Sequence, residues 1–364
     1  MSRLPIRPPV LMLWLGLLPS AVCAQAPANS ERAAFVVRLG ADTLAVERYT
    51  RTSGALEGDL VSRVPKTRLV HYSATLAPNG NVSRFEVTVR PASEPVGGPG
   101  SQNGKVSFSR DSAAEEVWQG DSTRSLKVAV RPDAIPMLSF SFALYEQAVR
   151  QARRTLRDSL PVSLVFLGAE QVYETTVIRR GADSVHIDFF GAPYLARVDR
   201  QGRILAVDGR LTTQKVIVER TADVDLDAAA RSFAAADQAG HAIGPLSPRD
   251  TARASIGGAT LWVDYGRPQR RGRVIFGNVI PWNQVWRTGA NAATQFSTDR
   301  NLSLGGVEVP AGTYTLWTLP APDGSKLIIN KQTGQWGTQY DPAQDLARLY
   351  LITEPLPEPV DQFT

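Results

Sequence analysis

The chain has 364 residues, and 40 Lys and Arg residues against 35 Asp and Glu residues give it a formal net charge of +5. This small excess, with no long basic run that alternates with aromatic residues, argues against nucleic-acid binding. Cys23 is the only cysteine, which excludes a disulfide framework and a cysteine-based metal site. A chain of this length can bury a core without disulfides, and it favours about two domains.

Residues 1–24 have the pattern of a secretory signal peptide. Arg3 and Arg7 precede the apolar run Val10 to Leu18, which is too short to span a bilayer, and small residues precede a cleavage site after Ala24. In an alternative interpretation Cys23 is lipidated, although the residues before it fit a lipoprotein signal poorly. No later stretch is long and apolar enough for a transmembrane span. The sequence therefore predicts a periplasmic or secreted protein.

Residues 25–240 are predicted to form an antiparallel β-meander, as a curved sheet or half-barrel, with two helices. Alternating segments such as Arg68 to Leu76 and Val82 to Val89 flank turns that are rich in Gly, Asn and Pro. Helices are predicted near 138–156, from apolar residues at helical spacing, and near 225–239, from an alanine-rich run that begins with acids. Half-barrels can cradle lipids, so a periplasmic lipid or lipoprotein carrier is one functional alternative for this domain.

A linker is predicted at 241–250, where Gly244, Pro245 and Pro248 interrupt regular structure. Short alternating segments separated by Gly- and Pro-rich turns follow it. This spacing predicts that residues 251–364 form a C-terminal β-sandwich, so that the whole protein is mainly β.

The C-terminal region also carries a series of linked motifs. They are Asp264 to Pro268, Arg273 to Gly277, Pro281, Trp286 to Thr294, Val309 to Tyr314, and Ile328 to Asn330. In this order they resemble the bacterial domain of unknown function family 2911. The family has no assigned activity, so the resemblance implies a domain but no function. Its members usually continue with further strands past the point that matches Asp361 to Thr364, which raises the hypothesis of a truncated C-terminus.

The run Trp286 to Thr294 is the best candidate for a site, because it combines an aromatic residue, a cation, a glycine and an amide within a strand-rich region. From such a loop Arg287 and Asn291 can donate hydrogen bonds to an anionic or carbonyl-bearing ligand. Nearby arginines and tryptophans could complete a pocket. The predicted ligand-binding residues are Arg267, Arg273, Trp282, Trp286, Arg287 and Asn291. The competing interpretation is structural, with arginines bonded to backbone carbonyls and tryptophans packed in a core.

No catalytic residue, metal ligand or cofactor is predicted. The C-terminal region contains neither histidine nor cysteine, and no glycine-rich loop precedes a helix as a phosphate-binding motif requires. The leading hypothesis is a non-enzymatic protein of the cell envelope that binds a small anionic or glycan-like ligand, or an envelope protein. The alternative enzyme is a hydrolase of envelope material that uses Arg287 and Asn291 as anion binders.

Overall fold

The computed structural model describes residues 30–93, 102–155, 157–189, 192–212, 214–271 and 273–364. The predicted signal peptide at 1–24, with Cys23, lies outside these residues. Within them the protein is mainly β, as the sequence predicts, and strands form three separate sheets. None of the helices in this part of the chain is long and apolar enough to cross a membrane.

The largest sheet consists of two meanders that meet at their outer strands. The first meander contains β1 to β8, which span Glu31–Leu39, Asp42–Arg51, Ala55–Ser62, Arg68–Leu76, Val82–Pro91, Gln102–Phe108, Ser112–Gln119 and Ser122–Ala129. The second contains β9 to β15, which span Ile135–Met137, Ser159–Phe166, Tyr173–Arg179, Ser184–Phe189, Ala192–Val198, Ile204–Asp208 and Ile217–Thr221. Because β1 pairs with β15, the sheet has 15 strands in the order β8 to β1 followed by β15 to β9. The pairing is antiparallel except between β9 and β10.

The strands follow the alternation that the sequence predicts. In β4 the side chains of Val70, Tyr72, Ala74 and Leu76 are buried, and the residues between them are partly or fully exposed. This period of two gives the sheet one apolar face, which must be covered.

Helix α1 (Phe142–Arg154) covers that face, and most of its side chains are buried. The sheet curves around the helix until its two ends approach each other. The backbone N–H of Gly168, just after β10, donates to a carboxylate oxygen of Glu115 in β7 at 2.8 Å. The guanidinium of Arg124 in β8 reaches the carbonyl oxygen of Gly168 at 3.3 Å. This is the curved-sheet form of the predicted N-terminal fold.

Helix α1 is shorter at both ends than the predicted range of 138–156. Phe140 has a φ of 69°, a left-handed conformation that cannot belong to a right-handed helix, so the helix begins at Phe142. A buried carboxylate then stabilises the first turn from outside the helix. Glu47 in β2 accepts hydrogen bonds from the backbone N–H groups of Phe142 at 2.8 Å and Ala143 at 3.0 Å.

Side chains fill the interface between α1 and the sheet. The rings of Phe35, Tyr49, Phe142, Tyr145 and Tyr194 are all buried, and successive ring centroids lie 5.4–6.2 Å apart. A lipid carrier built on this domain would need that space for its ligand. The packing therefore argues against the carrier interpretation of the N-terminal sheet.

A second helix, α2 (Leu226–Gln238), follows β15 and packs against the outer face of β2 and β3 through Leu226 and Phe233. It matches the predicted helix at 225–239 to within one residue at each end. Residues 239–248 then have no helix or strand, and β16 begins at Arg249, inside the predicted 241–250 linker.

The C-terminal region contains two sheets of unequal size. Its strands β16 to β23 span Arg249–Ile256, Ala259–Gly266, Thr294–Thr298, Leu302–Leu304, Val307–Val309, Gly312–Leu319, Lys326–Asn330 and Asp345–Tyr350, with a 3-10 helix at Pro342–Gln344. Six of them form an antiparallel sheet in the order β16-β17-β18-β21-β22-β23, and β19 and β20 form a hairpin. The hairpin packs against the larger sheet around Phe296, Val309 and Ile329. The predicted sandwich is thus present as two sheets, of which the second has only two strands.

The segment between β17 and β18, residues 267–293, lies in the C-terminal region and contacts the N-terminal sheet. The guanidinium of Arg271 forms an ion pair with Asp42 of the N-terminal sheet at 2.9 Å, and it also donates to the carbonyl oxygen of Ile243. The turn at Gly40 lies so close that an added Cβ atom would be 2.6 Å from the carbonyl oxygen of Arg271. This contact places the predicted site loop beside the N-terminal sheet.

Candidate ligand-binding site

The loop Trp286 to Thr294 is held in one shape by its backbone. Trp286 exchanges two backbone hydrogen bonds with Thr318 in β21, at 2.7 and 2.8 Å. Thr288 and Asn291 have φ values of 52° and 63°, which fold the loop sharply. A Cβ atom added to Gly266 would lie 2.3 Å from the carbonyl oxygen of Ala290, so only glycine permits this close approach. The scaffold therefore fixes the direction of the loop side chains.

A cavity of about 570 Å³ lies where this loop faces the N-terminal sheet. We call it the apolar cavity, because most of its walls are hydrocarbon side chains from five separate segments. They are Leu39 of β1, Val64 of the turn after β3, Leu246 of the connecting residues 239–248, Ile275, Phe276, Val279 and Ile280 of the segment before the loop, and Leu356, Val360 and Phe363 near the C-terminus.

A second cavity of about 390 Å³ adjoins the first and has a more polar lining. We call it the polar cavity. The two cavities share Lys215, Val279, Ile280, Trp286 and Arg287 as lining residues. The two shared cations thus lie on the boundary between an apolar space and a polar one.

Arg287 is a buried cation without a partner. Only 8% of the residue is exposed, and its guanidinium makes no hydrogen bond or ion pair among the described residues. Burial lowers the pKa of Arg287 to about 10, so the group is still positively charged at neutral pH. Its stem packs beneath Gly337, where an added Cβ atom would lie 1.9 Å from Cδ of Arg287.

Lys215 is the second cation on this boundary, and it comes from the loop between β14 and β15. Its Nζ donates to the backbone carbonyl oxygens of Arg210 at 2.6 Å and Val279 at 3.1 Å. No carboxylate lies within ion-pair distance of Nζ in the described part of the chain. Burial lowers the pKa of Lys215 to about 8, and the positive charges of Arg287 and Arg273 add to that effect against a smaller opposing effect of Asp208.

Arg270 and Arg210 also line the cavities, and Arg273 is a further cation of the site. It lines the apolar cavity and donates through Nε to the carbonyl oxygen of Arg270 at 3.0 Å and through Nη2 to that of Gln269 at 2.6 Å. Burial lowers its pKa, as does the charge of Arg271, whereas Asp361 opposes the shift.

The two acids that line the cavities are occupied by other groups. Asp208 is bound by the guanidinium of Arg210, which also holds the pKa of Asp208 below its usual value. Asp361 accepts a hydrogen bond from the backbone N–H of Arg271 at 3.2 Å. Neither acid forms an ion pair with Lys215, Arg273 or Arg287. The site consequently has a local excess of positive charge.

The structure brings four of the six predicted binding residues together: Arg273, Trp286, Arg287 and Asn291 all line the apolar cavity. The ring of Trp286 is held in place by a hydrogen bond from Nε1 to the carbonyl oxygen of Gly289 at 3.1 Å and by edge contacts with Phe276 and Phe363.

The other two predicted residues lie beside the cavities without lining them. Arg267 follows β17 directly and is turned toward β16, where it pairs with Asp250 at 2.8 Å and donates to the carbonyl oxygen of Phe363. Trp282 is 39% exposed and stacks on Phe276 with a centroid distance of 5.7 Å. The contacts of Arg267 are of the kind that the competing structural interpretation describes, and Trp282 packs against a lining residue of the apolar cavity.

Lys215 is the residue that sequence reasoning missed. It lies 72 positions before Arg287 in a loop of the N-terminal domain, and no motif marks it. Only the contact between the two regions brings the two cations to one boundary. A lone lysine in the loop between two short strands gives no sequence signal that could have identified it.

The described lining residues offer several cations and few groups that could act as nucleophiles. Among the described lining residues, the hydroxyl groups are those of Ser247 and Thr338, and neither histidine nor cysteine is present to activate them. The described part of the chain also contains no group of three or more His, Cys, Asp or Glu side chains that could hold a metal ion.

Comparisons with known proteins assign no activity. Residues 247–364 match the family model of the protein of unknown function DUF2911, which confirms the resemblance of the C-terminal third. This match includes Arg287 and its loop but not Lys215. No curated protein is significantly similar to the chain.

Two solved structures are similar to about half of the chain. One is a DUF1089 family protein from Pseudomonas aeruginosa, which is 16% identical, with 55% of this chain and 97% of that chain covered and a TM-score of 0.30. The other is a β-barrel-like protein of the domain of unknown function DUF1849 from Brucella abortus, which is 12% identical, with 52% and 94% covered and a TM-score of 0.34.

Proposed function

We propose that this protein is a non-enzymatic binding protein whose two cavities hold the acidic group of a small ligand. The observation that carries the proposal is the buried guanidinium of Arg287, which lines both cavities and has no hydrogen bond or ion pair with any residue that the structure describes. A buried charge is normally paired, because removal of its hydration is unfavourable. A carboxylate or phosphate of a ligand is the partner that a guanidinium fork prefers.

Lys215 and Arg273 support this assignment. Both cations bond to backbone carbonyls, and neither forms an ion pair with a described carboxylate, while Asp208 is bound by Arg210 and Asp361 accepts from the backbone of Arg271. An anion on the boundary between the cavities would therefore meet Arg287 and Lys215 together. A neutral glycan offers no charge to balance these groups, so an anionic ligand fits the site better.

A titration with inorganic phosphate and with acetate tests the proposal. The indole N–H signal of Trp286 reports binding, because this ring lines both cavities. We expect saturable shifts in the wild type, and a loss of at least about tenfold in affinity in Arg287→Gln, because a charge-assisted hydrogen bond contributes about 1.5–3 kcal/mol.

Arg131→Gln is the matched control for this titration. Arg131 follows β8, is exposed, is paired with Glu174 at 2.8 Å, and lines neither cavity. Its replacement should leave the affinity unchanged. Equal affinities in the wild type and in Arg287→Gln, with both proteins folded, would reject the proposal.

We also propose that the protein is exported, on the basis of residues 1–24 alone. Fractionation of cells that express the whole chain, followed by N-terminal sequencing, tests this proposal. A periplasmic or secreted protein that begins at Gln25 is expected, whereas an unprocessed protein in the cytoplasm contradicts export. In Cys23→Ser, unchanged processing supports cleavage after Ala24, and lost processing supports lipidation.

A further inference from the structure

The apolar cavity retains exposed hydrocarbon surface. Phe276 and Leu356 line it, and 49% and 65% of these residues are exposed. Leu39 at the end of β1 and Val64 in the turn after β3 line it with further aliphatic side chains. Because burial of apolar surface favours association, these walls favour a ligand with hydrocarbon of its own.

Two of the cations line the apolar cavity where it adjoins the polar one, whereas Arg273 lines only the apolar cavity. Arg287 and Lys215 line the apolar and the polar cavity alike, whereas Phe276 and Leu356 line only the apolar one. A ligand that places an acid against the two cations can therefore extend a hydrocarbon part past Phe276. The polar cavity, with Asn278, Gln284 and Thr338 in its lining, suits hydrated parts of the acidic group.

We infer that the ligand is a single-chain anionic amphiphile whose acidic group meets Arg287 and Lys215 and whose hydrocarbon part occupies the apolar cavity. This inference rests on the proposed function and names the class of its ligand. A volume of about 570 Å³ lies within the range of pockets that enclose one small molecule. A lipid with two chains is too large for it.

Calorimetric titration with acetate, hexanoate and decanoate tests the inference, with decyl phosphate as a second acid and decanol as a neutral analogue. Each methylene that becomes buried should raise the affinity roughly fourfold. Decanol should bind at least about tenfold more weakly than decanoate, since it offers no charge to the cations. Comparison of decanoate with decyl phosphate shows which acidic group the site prefers.

Two variants locate the hydrocarbon part. Phe276→Ala removes a wall of the apolar cavity and should weaken decanoate roughly fivefold or more, with little effect on acetate. Tyr350→Ala is the control, because Tyr350 is also an exposed aromatic residue but lies outside the cavity lining. Its affinity for decanoate should equal that of the wild type.

The outcomes separate the inference from the proposed function. If acetate and phosphate bind through Arg287 but a longer hydrocarbon chain does not raise the affinity, the inference is overturned and the proposed function remains. If no anion binds, both are wrong. If the gain with chain length persists undiminished in Phe276→Ala, the hydrocarbon lies elsewhere and the inference is also overturned.

Discussion

We predict that the affinity for an anionic ligand depends on pH through the protonation of Lys215. Its pKa is lowered to about 8, mainly by burial, and an anion at the boundary between the cavities would favour the protonated form. Binding therefore raises this pKa and takes up a proton near pH 8. The affinity for decanoate should be constant from pH 6 to 7 and should fall as pH rises through about 8, by up to tenfold per unit.

Calorimetry at several pH values, in buffers that differ in ionisation enthalpy, measures both the affinity and the proton uptake. In Lys215→Met the decrease around pH 8 should disappear, and in Lys127→Met, which changes an exposed lysine on β8, it should persist. An affinity that stays level from pH 7 to 9 in the wild type contradicts the assigned role of Lys215.

Gly337 keeps Arg287 in place, because the stem of Arg287 occupies the space where a side chain would begin. In Gly337→Ala the new Cβ atom would lie 1.9 Å from Cδ of Arg287 and 2.4 Å from the carbonyl oxygen of Asn291. We expect a loss of about 1–3 kcal/mol in the free energy of unfolding, as for other overpacked sites, together with weaker anion binding. Urea unfolding and the acetate titration measure the two effects.

Gly54→Ala is the control for this substitution, since an added Cβ atom there meets no atom within 4 Å. It should leave both the free energy of unfolding and the affinity for acetate nearly unchanged. If Gly337→Ala binds acetate with wild-type affinity, the position of Arg287 does not determine anion binding.

At the scale of elements, Glu47 is the residue that fixes α1 in the curved sheet. Besides the two backbone N–H groups of α1, it accepts hydrogen bonds from the hydroxyl groups of Tyr72 at 2.7 Å and Ser141. Burial raises its pKa, although these four donors favour the charged form. Glu47→Ala would leave all four donors buried and unpaired, which costs about 3 kcal/mol or more.

Urea unfolding followed by far-ultraviolet circular dichroism tests this role. Glu57→Ala on the neighbouring strand β3 is the control, because Glu57 is exposed and lies 3.8 Å from His71 in a solvated pair. The free energy of unfolding of Glu57→Ala should be lower than that of the wild type by less than about 0.5 kcal/mol. Equal losses in the two variants contradict the capping role of Glu47.

The elements themselves could be predicted well from local patterns. Period-two alternation identified β4 to the residue, and the acidic start of α2 identified that helix, because both signals lie within one element. The start of α1 could not be predicted, since Phe140 takes a positive φ and Glu47 caps the helix from 95 positions away. Both features depend on tertiary packing.

At the scale of the whole molecule, the site exists because two regions meet. The loop with Arg287 and Asn291 could be predicted, because its unusual residues are consecutive in the sequence. Lys215, Leu39 and Val64 could not, because nothing in a local pattern shows that the N-terminal sheet faces this loop. The sequence thus predicts the lining residues that the C-terminal loop contributes. The lining residues of the N-terminal domain follow only from the contact between the two regions.

Arg287 is assigned to ligand binding and not to stabilisation of the fold. The free energy of unfolding of Arg287→Met tests this assignment most directly. Met retains the packed stem and removes the unpaired charge, so the free energy of unfolding without ligand should stay equal or rise by on the order of 1–3 kcal/mol. Arg267→Met is the control, because Arg267 is paired with Asp250 and bonded to Phe363, and its loss should destabilise the protein or leave it unchanged. Urea unfolding should show a stabilised or unchanged Arg287→Met protein, and decanoate far above its wild-type Kd should stabilise this variant by at least about 1.4 kcal/mol less than it stabilises the wild type. A loss of more than about 1 kcal/mol in Arg287→Met, with decanoate acting equally on both proteins, would contradict the account.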